Sequence, residues 1–504
     1  MMSTKTIIVA AMVTAALAAP VRRTLPKIVV SENKRFLMTT DGKPFFYQAD
    51  TAWELFHRLD RKQAVEYLDV RASQGFNVVQ AVLLAELDGV TDPNAYGDLP
   101  LIDKDPSKPA VTPGANPANP AEYDYWDHVD FIVNEANARG IYMAMLPSWG
   151  RWVNSGHNDE SLLTPKNAQT YGEFLGKRYR NQGIIWILGG DRTATGFEES
   201  WRALARGIAI GSAGREDYDG VLMSFHPRGG ETSSKWFHDD PWLDFNMHQT
   251  GHGLADKVEV WAKIGRDYDR TPVKPVIDGE PLYEDHPLAF RSRENGYSFD
   301  AHVRQRLYWD VFSGSSGHTY GNHSVWQMYA PGRKPINGPL HYWYEAIHRP
   351  GAEQLQYMRR LVESRPYFSR VPDQTLIADA LTANDHIVAT RGHGYAFIYS
   401  PQGRKFTVKL GKFPGEKLVV WWFNPRSGDA VKFDTIANDG THDFTCPSEG
   451  FGSDWVLVLD DASKRWAAPG AKPEPRHVAT RQSGSVSGSS SNPAHVPSRG
   501  RSRE

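Results

Sequence analysis

The sequence predicts a two-part α/β protein: a (β/α)8 TIM barrel over residues 28–366, followed by an antiparallel β-sandwich over 367–462. Between residues 40 and 325, eight short apolar, β-branched or aromatic runs alternate with segments of helical periodicity, the rhythm and size of such a barrel. No glycine-rich phosphate fingerprint follows the first run, which sets aside the nucleotide-binding form of the competing doubly wound sheet. Past residue 366 the pattern shifts to short alternating runs separated by Gly, Pro and Asn turns, the signature of a sandwich.

The eight predicted barrel strands are 45–49, 77–84, 141–146, 184–188, 221–225, 243–247, 275–277 and 317–320. Between them, residues 61–73 repeat Ala64, Leu68 and Ala72 and stop at Gly75, a C-terminal cap signal. Residues 125–139 place Trp126, Val129, Val133 and Ala136 on one face, and Pro165 opens a helix carrying Tyr171, Phe174 and Tyr179. Trp201, Leu204, Ala205 and Ile208 mark the next helix, with two more at 258–264 and 302–312. The interval after the fifth strand is too short for a full helix. Proline-rich residues 91–123 form a long insertion after the second strand, on the barrel face where insertions shape substrate sites. A helix at 352–364 precedes sandwich strands at 386–390, 395–399, 405–410, 417–423 and 455–459.

Residues 1–19 read as a signal peptide: Lys5 supplies the charge, residues 6–16 the apolar run, and Ala16-Leu17-Ala18 the cleavage pattern. The expectation is a secreted, extracellular protein with no membrane association after cleavage. Cys446 is the single cysteine, so no internal disulfide forms and stability must come from a large core, which 40% apolar residues can supply. A net charge of -2 gives no electrostatic reason to expect a nucleic-acid partner. The 16 Trp offer flat faces suited to stacking on sugar rings. Residues 467–504, rich in Pro, Ser and Arg, read as a disordered tail, and Asn322-His323-Ser324 is a glycosylation sequon whose use depends on exposure.

Reactive groups of a barrel enzyme sit where its strands end. Two carboxylates stand out there, Asp191 after the fourth strand and Glu280 after the seventh, each preceded by glycine. Such a pair is the minimal apparatus for glycosidic-bond cleavage: one acid protonates the leaving oxygen while the other carboxylate attacks or activates water. Asp50, Trp53, Trp149, His226, His248, Gln249, His318 and Tyr320 are the candidate substrate-binding residues at the other strand ends. Asp127-His128 and Glu284-Asp285-His286 read as isolated surface or loop combinations. No zinc-ligand spacing or nucleophilic-serine elbow is present, so no metal or other cofactor is expected.

Residues 46–53, Trp186-Ile187-Leu188-Gly189-Gly190-Asp191 and Ile277-Asp278-Gly279-Glu280-Pro281 resemble the apiosidase-like catalytic domain of glycoside hydrolase family 140. The following segment resembles the collagen-binding-type sandwich domain usually paired with it, although nothing in the sequence argues for collagen. The resemblance implies that Asp191 is the general acid/base and Glu280 the nucleophile. It also implies removal of β-linked apiose, a branched furanose of plant pectin side chains, from a plant-derived oligosaccharide, polysaccharide or glycoside. Gly190-Asp191 stands where the wider clan of barrel glycosidases has Asn-Glu, which leaves retention or inversion open. A same-fold glycosidase acting on a pyranoside, and a non-catalytic carbohydrate- or matrix-binding protein, are the alternatives.

Overall fold

The computed structural model describes residues 25–156 and 161–471. The expected signal peptide, and all of the expected tail beyond residue 471, lie outside the described residues. Residues 467–471 are described and pack back on the chain, with the Ala467 carbonyl accepting a hydrogen bond from Arg365.

Eight parallel strands form the barrel: β1 (Tyr47–Thr51), β2 (Val78–Val82), β3 (Tyr142–Leu146), β4 (Ile184–Gly189), β5 (Met223–His226), β6 (Asn246–His248), β7 (Val276–Asp278) and β8 (Gly317–Tyr320). The ladder runs β5-β4-β3-β2-β1-β8-β7-β6. At the β5–β6 seam the barrel is nearly closed: the Ser224 hydroxyl donates to the Phe245 carbonyl at 2.7 Å and the Asp244 amide to the Met223 carbonyl at 2.9 Å. The main helices are α1 (Arg61–Ser73), α2 (Tyr125–Ala138), α3 (Pro165–Tyr179), α4 (Glu198–Ala213), α5 (Val260–Tyr268), α6 (Asp300–Phe312) and α7 (Pro350–Glu363). Local chemistry sets their starts. Asp60 caps α1 through the Gln63 amide, Asp124 caps α2 through the Trp126 and Asp127 amides, and Pro165 occupies the first turn of α3. The short interval after β5 holds a single helical turn, Ser234–Phe237.

Side-chain alternation divides the strands into two layers. Ala49, Val78, Val82, Ala144, Leu146, Ile185, Ile187, Met247 and Ile277 fill the barrel interior. Val79, Ala81, Met143, Met145, Leu188 and Phe225 face the surrounding helices. This parity decides which strand residues reach the site.

The second domain is built on a six-stranded antiparallel sheet with a separate two-stranded sheet across its core. Its central strand Tyr395–Ser400 turns Tyr395, Phe397 and Tyr399 toward the barrel helices and Ala396 and Ile398 toward the sandwich core. Strands Ala430–Ala437 and Thr441–Phe444, and an N-terminal three-stranded sheet (Ile28–Val30, Leu37–Thr39, Pro44–Phe45), were not anticipated from the sequence. Cys446 is a buried free thiol, and that burial pushes its pKa up to about 12. Asn322 is fully buried, with its amide donating to Asp285 at 3.0 Å, so the folded sequon offers no glycosylation site. Among the described residues no helix is long and apolar enough to cross a membrane.

Candidate active site

A cavity of about 150 Å3 opens at the C-terminal ends of the strands, and Asp191 and Glu280 both line it. Trp53, Trp149 and Trp326 wall it, together with Gln249, His252, Tyr283, His286 and His323. A hollow of about 200 Å3 at the opposite end, lined by Tyr142, Ile184 and Leu222, contains neither carboxylate.

Asp191 is placed by an unusual stretch of backbone. Gly190 has φ 130° and passes so close to the Trp149 ring that an added Cβ would lie 2.6 Å from it. The Gly190 amide donates to the His226 carbonyl of β5 at 3.0 Å. Asp191 itself adopts φ 53°, a conformation that Asp tolerates better than most residues and that the flanking contacts hold in place. Its carboxylate accepts a hydrogen bond from the Gln249 amide at 3.2 Å, while Arg192 lies 3.9 Å away. Partial burial, then the negative charge of Glu280, push its pKa above the ordinary carboxylate value.

Glu280 is 6% exposed and surrounded by donors. His252 Nε2 lies 3.2 Å from one carboxylate oxygen and His226 Nε2 lies 3.2 Å from the other. Burial alone would raise this carboxyl, but the two imidazoles, His226 and then His252, outweigh it and hold the pKa down to about 2. The buried Tyr283 hydroxyl is kept protonated by its desolvation and by the Glu280 charge, and it accepts from Trp53 Nε1 at 3.2 Å. Behind the strand, Asp278 accepts from the Glu280 amide at 3.3 Å, and the Thr250 hydroxyl donates to Asp278 at 2.5 Å. The pair is thus polarised in opposite senses, one carboxyl biased toward the acid and one toward the anion.

Of the expected binding residues, Trp53, Trp149 and Gln249 line the cavity, and His226 stands behind Glu280 with its ring against both tryptophans. Asp50, His248, His318 and Tyr320 do not line it, and strand parity is the reason. Each lies next to an inward-facing neighbour and so points into the helix layer. There Asp50 pairs with Arg71 of α1 at 2.7 Å, and His248 meets Asp267 of α5 at 2.9 Å. His318 meets Asp310 of α6 at 2.6 Å, and the Tyr320 hydroxyl donates to Glu284 at 2.6 Å. These four are packing residues.

Sequence reading missed Glu86, His252, Tyr283, His286 and Trp326 as pocket residues, because they follow the strands by several positions along the βα loops. The cue was available: in a barrel, polar and aromatic residues in those loops face the substrate side. Glu284-Asp285-His286 is likewise no surface combination, since all three are buried and His286 stacks on His252 with ring centroids 4.0 Å apart. His128 is buried too, facing the Leu59 carbonyl at 2.8 Å. Burial lowers the pKa of His286, and it holds that of His323 near 4, so neither ring is a cation at neutral pH. Among the described residues no group of three or more His, Cys, Asp or Glu is arranged to hold a metal ion.

Comparison with known proteins agrees with this geometry. Residues 31–369 match the family described as "Apiosidase-like, catalytic domain", and residues 371–460 match "Putative collagen-binding domain of a collagenase". A solved structure described as a glycoside hydrolase is 35% identical, covering 88% of this chain and 98% of its own, with a TM-score of 0.79. A second, a glycoside hydrolase family 5 protein from Bacteroides vulgatus, is 35% identical over 88% of this chain and 96% of its own, with a TM-score of 0.78. A further Bacteroides vulgatus structure, 13% identical over 86% of this chain and 82% of its own with a TM-score of 0.59, shares the fold. No curated protein matches the sequence. With a family match spanning the whole barrel and a two-carboxylate pocket at its mouth, the chain belongs to the apiosidase-like glycoside hydrolases.

Proposed function

We propose that the protein is a secreted enzyme of glycoside hydrolase family 140 that removes a terminal β-linked apiose from plant pectin side chains or plant glycosides. The observation that carries the reading is the opposite polarisation of Asp191 and Glu280 within one small pocket. A cavity of about 150 Å3 with tryptophan walls suits a single sugar ring and hence action at a chain end. The apiosidase-like family supports the choice of sugar, and the apparent signal at residues 1–19 supports export.

In this mechanism Asp191 gives its proton to the glycosidic oxygen as the bond to the anomeric carbon breaks, and the aglycone leaves as an alcohol. The Glu280 carboxylate attacks the anomeric carbon and forms a glycosyl ester. Asp191, now a carboxylate, takes a proton from water. The resulting hydroxide equivalent displaces Glu280, releasing free sugar and restoring both groups. His226, His252 and Tyr283 hold Glu280 ionised and oriented between turnovers.

The test is release of monosaccharide from an apiose-bearing pectin fragment and from an aryl β-apioside, beside a panel of aryl pyranosides. Apiose release, reduced about 10³-fold or more in both Asp191→Ala and Glu280→Ala, is the expected result. Turnover of pyranosides alone would replace the sugar, and sugar binding without any turnover would replace the enzyme.

A further inference from the structure

A third carboxyl shares the pocket and has no role in the two-carboxylate mechanism. Glu86 follows β2 on the loop that precedes the long insertion, and it lines the cavity with Asp191 and Glu280. Its backbone is fixed on several sides. Its carbonyl accepts from Arg151 at 3.0 Å and from the Asp88 amide at 2.9 Å, while the next amide, Leu87, donates to Glu54 at 3.0 Å. The preceding carbonyl, Ala85, accepts from the Trp152 indole at 3.0 Å.

The side chain is treated very differently from the other carboxyls around it. Asp191 has Gln249, and Glu280 has its two histidines. Glu54 is held by His57 at 2.8 Å, the Leu87 amide at 3.0 Å and Arg58 at 3.6 Å. Among the described residues, no hydrogen bond or ion pair reaches the Glu86 carboxyl. Asp191, Glu54 and Glu280 surround it with negative charge, and Arg192 is the cation opposing them. Arg151 is engaged at its backbone carbonyl, and the pocket's remaining titratable side chains are His252, His286, His323 and Tyr283. Four carboxyls with so few cations cannot all ionise: Asp191 is pushed toward its acid form, and Glu86, the one without donors, keeps its proton as well. Burial, followed by the charges of Asp191, Glu54 and Glu280, moves Glu86 up to about 8.

A protonated carboxyl with no protein acceptor has an O–H to offer, and the pocket is where it can be used. We propose that Glu86 binds the sugar as a neutral acid, its O–H donating to a hydroxyl oxygen of the glycosyl unit, so that substrate affinity falls when Glu86 ionises. Two consequences follow from its chemistry. A glutamine keeps a neutral donor at the same reach and cannot ionise, whereas an alanine offers no donor. Ionised Glu86 would instead present a bare anion beside Asp191 and Glu280, able to accept but no longer to donate.

The inference rests on the glycosidase reading, and the experiment separates the two. Binding of an uncleavable S-linked phenyl β-apioside is measured by calorimetry from pH 6 to pH 9.5 for wild type, Glu86→Gln and Glu86→Ala. Hydrolysis of the O-linked analogue by wild type is followed in parallel, and thermal melts confirm that each variant folds. The expected result is a wild-type affinity that drops about tenfold between pH 7 and pH 9, with a midpoint near 8. Glu86→Gln should bind about threefold more weakly at pH 7 and lose this drop, and Glu86→Ala should bind at least tenfold more weakly with no drop. If wild type hydrolyses and binds but Glu86→Gln keeps the same pH dependence, or Glu86→Ala binds as tightly, Glu86 has no such role. If wild type neither hydrolyses nor binds the apiosides, the apiosidase reading falls and takes this inference with it.

Discussion

Asp191 and Glu280 differ by one methylene, yet their surroundings push them in opposite directions. Glu280 collects donors, whereas Asp191 feels burial and the charge of its partner. The coupling is testable. Replacing Glu280 by Gln removes the negative charge beside Asp191, so the Asp191 pKa should fall toward the ordinary carboxylate value, read by carbon-13 NMR titration of labelled Asp. Asp50 makes the contrasting case, since the sequence places it at a strand end as plainly as the other two. Because β1 turns Ala49 inward, Asp50 points outward to Arg71 and Tyr67, and parity rather than strand-end position decided its role. Asp50→Asn, which removes the anion facing buried Arg71, should cost about 3 kcal/mol in denaturant unfolding and leave KM of the folded enzyme little changed.

Among the elements, those legible in the sequence were the ones with strong periodicity and clear caps. Helix α1 spans the expected residues 61–73, bounded by its Asp60 capping box and Gly75. Strand Ala430–Ala437 was not legible because it lies at the edge of the sheet: Val431 and Phe433 are 68% and 58% exposed, so charged neighbours mask its alternation. The β-strands of the N-terminal sheet are only two or three residues long, too short for any period to show. Helices α3 and α4 approach so closely that a Cβ on Gly207 would lie 2.1 Å from the Gln169 carbonyl. Gly207→Ala should therefore force these helices apart, costing about 1–3 kcal/mol of stability in urea unfolding. This contact could not be read in advance, since a glycine in a helix pattern signals low propensity and does not name its neighbour.

Across the whole molecule, barrel and sandwich share a core. Val303, Leu307 and Tyr308 of α6 and Leu355, Met358 and Leu361 of α7 pack with Tyr395, Phe397, Tyr399, Val456 and Val458 of the sheet. Within this interface Arg304 grips Asp454 with two hydrogen bonds of 2.8 Å, and Arg365 holds Asp460 in the same two-pronged way. The two parts should therefore unfold in one calorimetric transition, and Arg304→Met should lower that single transition without splitting it. The change in texture past residue 366 revealed that a second domain was present, but which face of its sheet met the barrel depended on register and became visible only in three dimensions.

The most direct test of the paired roles uses an aryl β-apioside whose phenolate departs without protonation. Asp191→Ala should still release a burst of phenol stoichiometric with enzyme, because Glu280 can form the glycosyl ester unaided, and then stall without its general base. Glu280→Ala should show no burst and no turnover. A burst in Glu280→Ala, or rapid steady turnover in Asp191→Ala, would contradict the assignment.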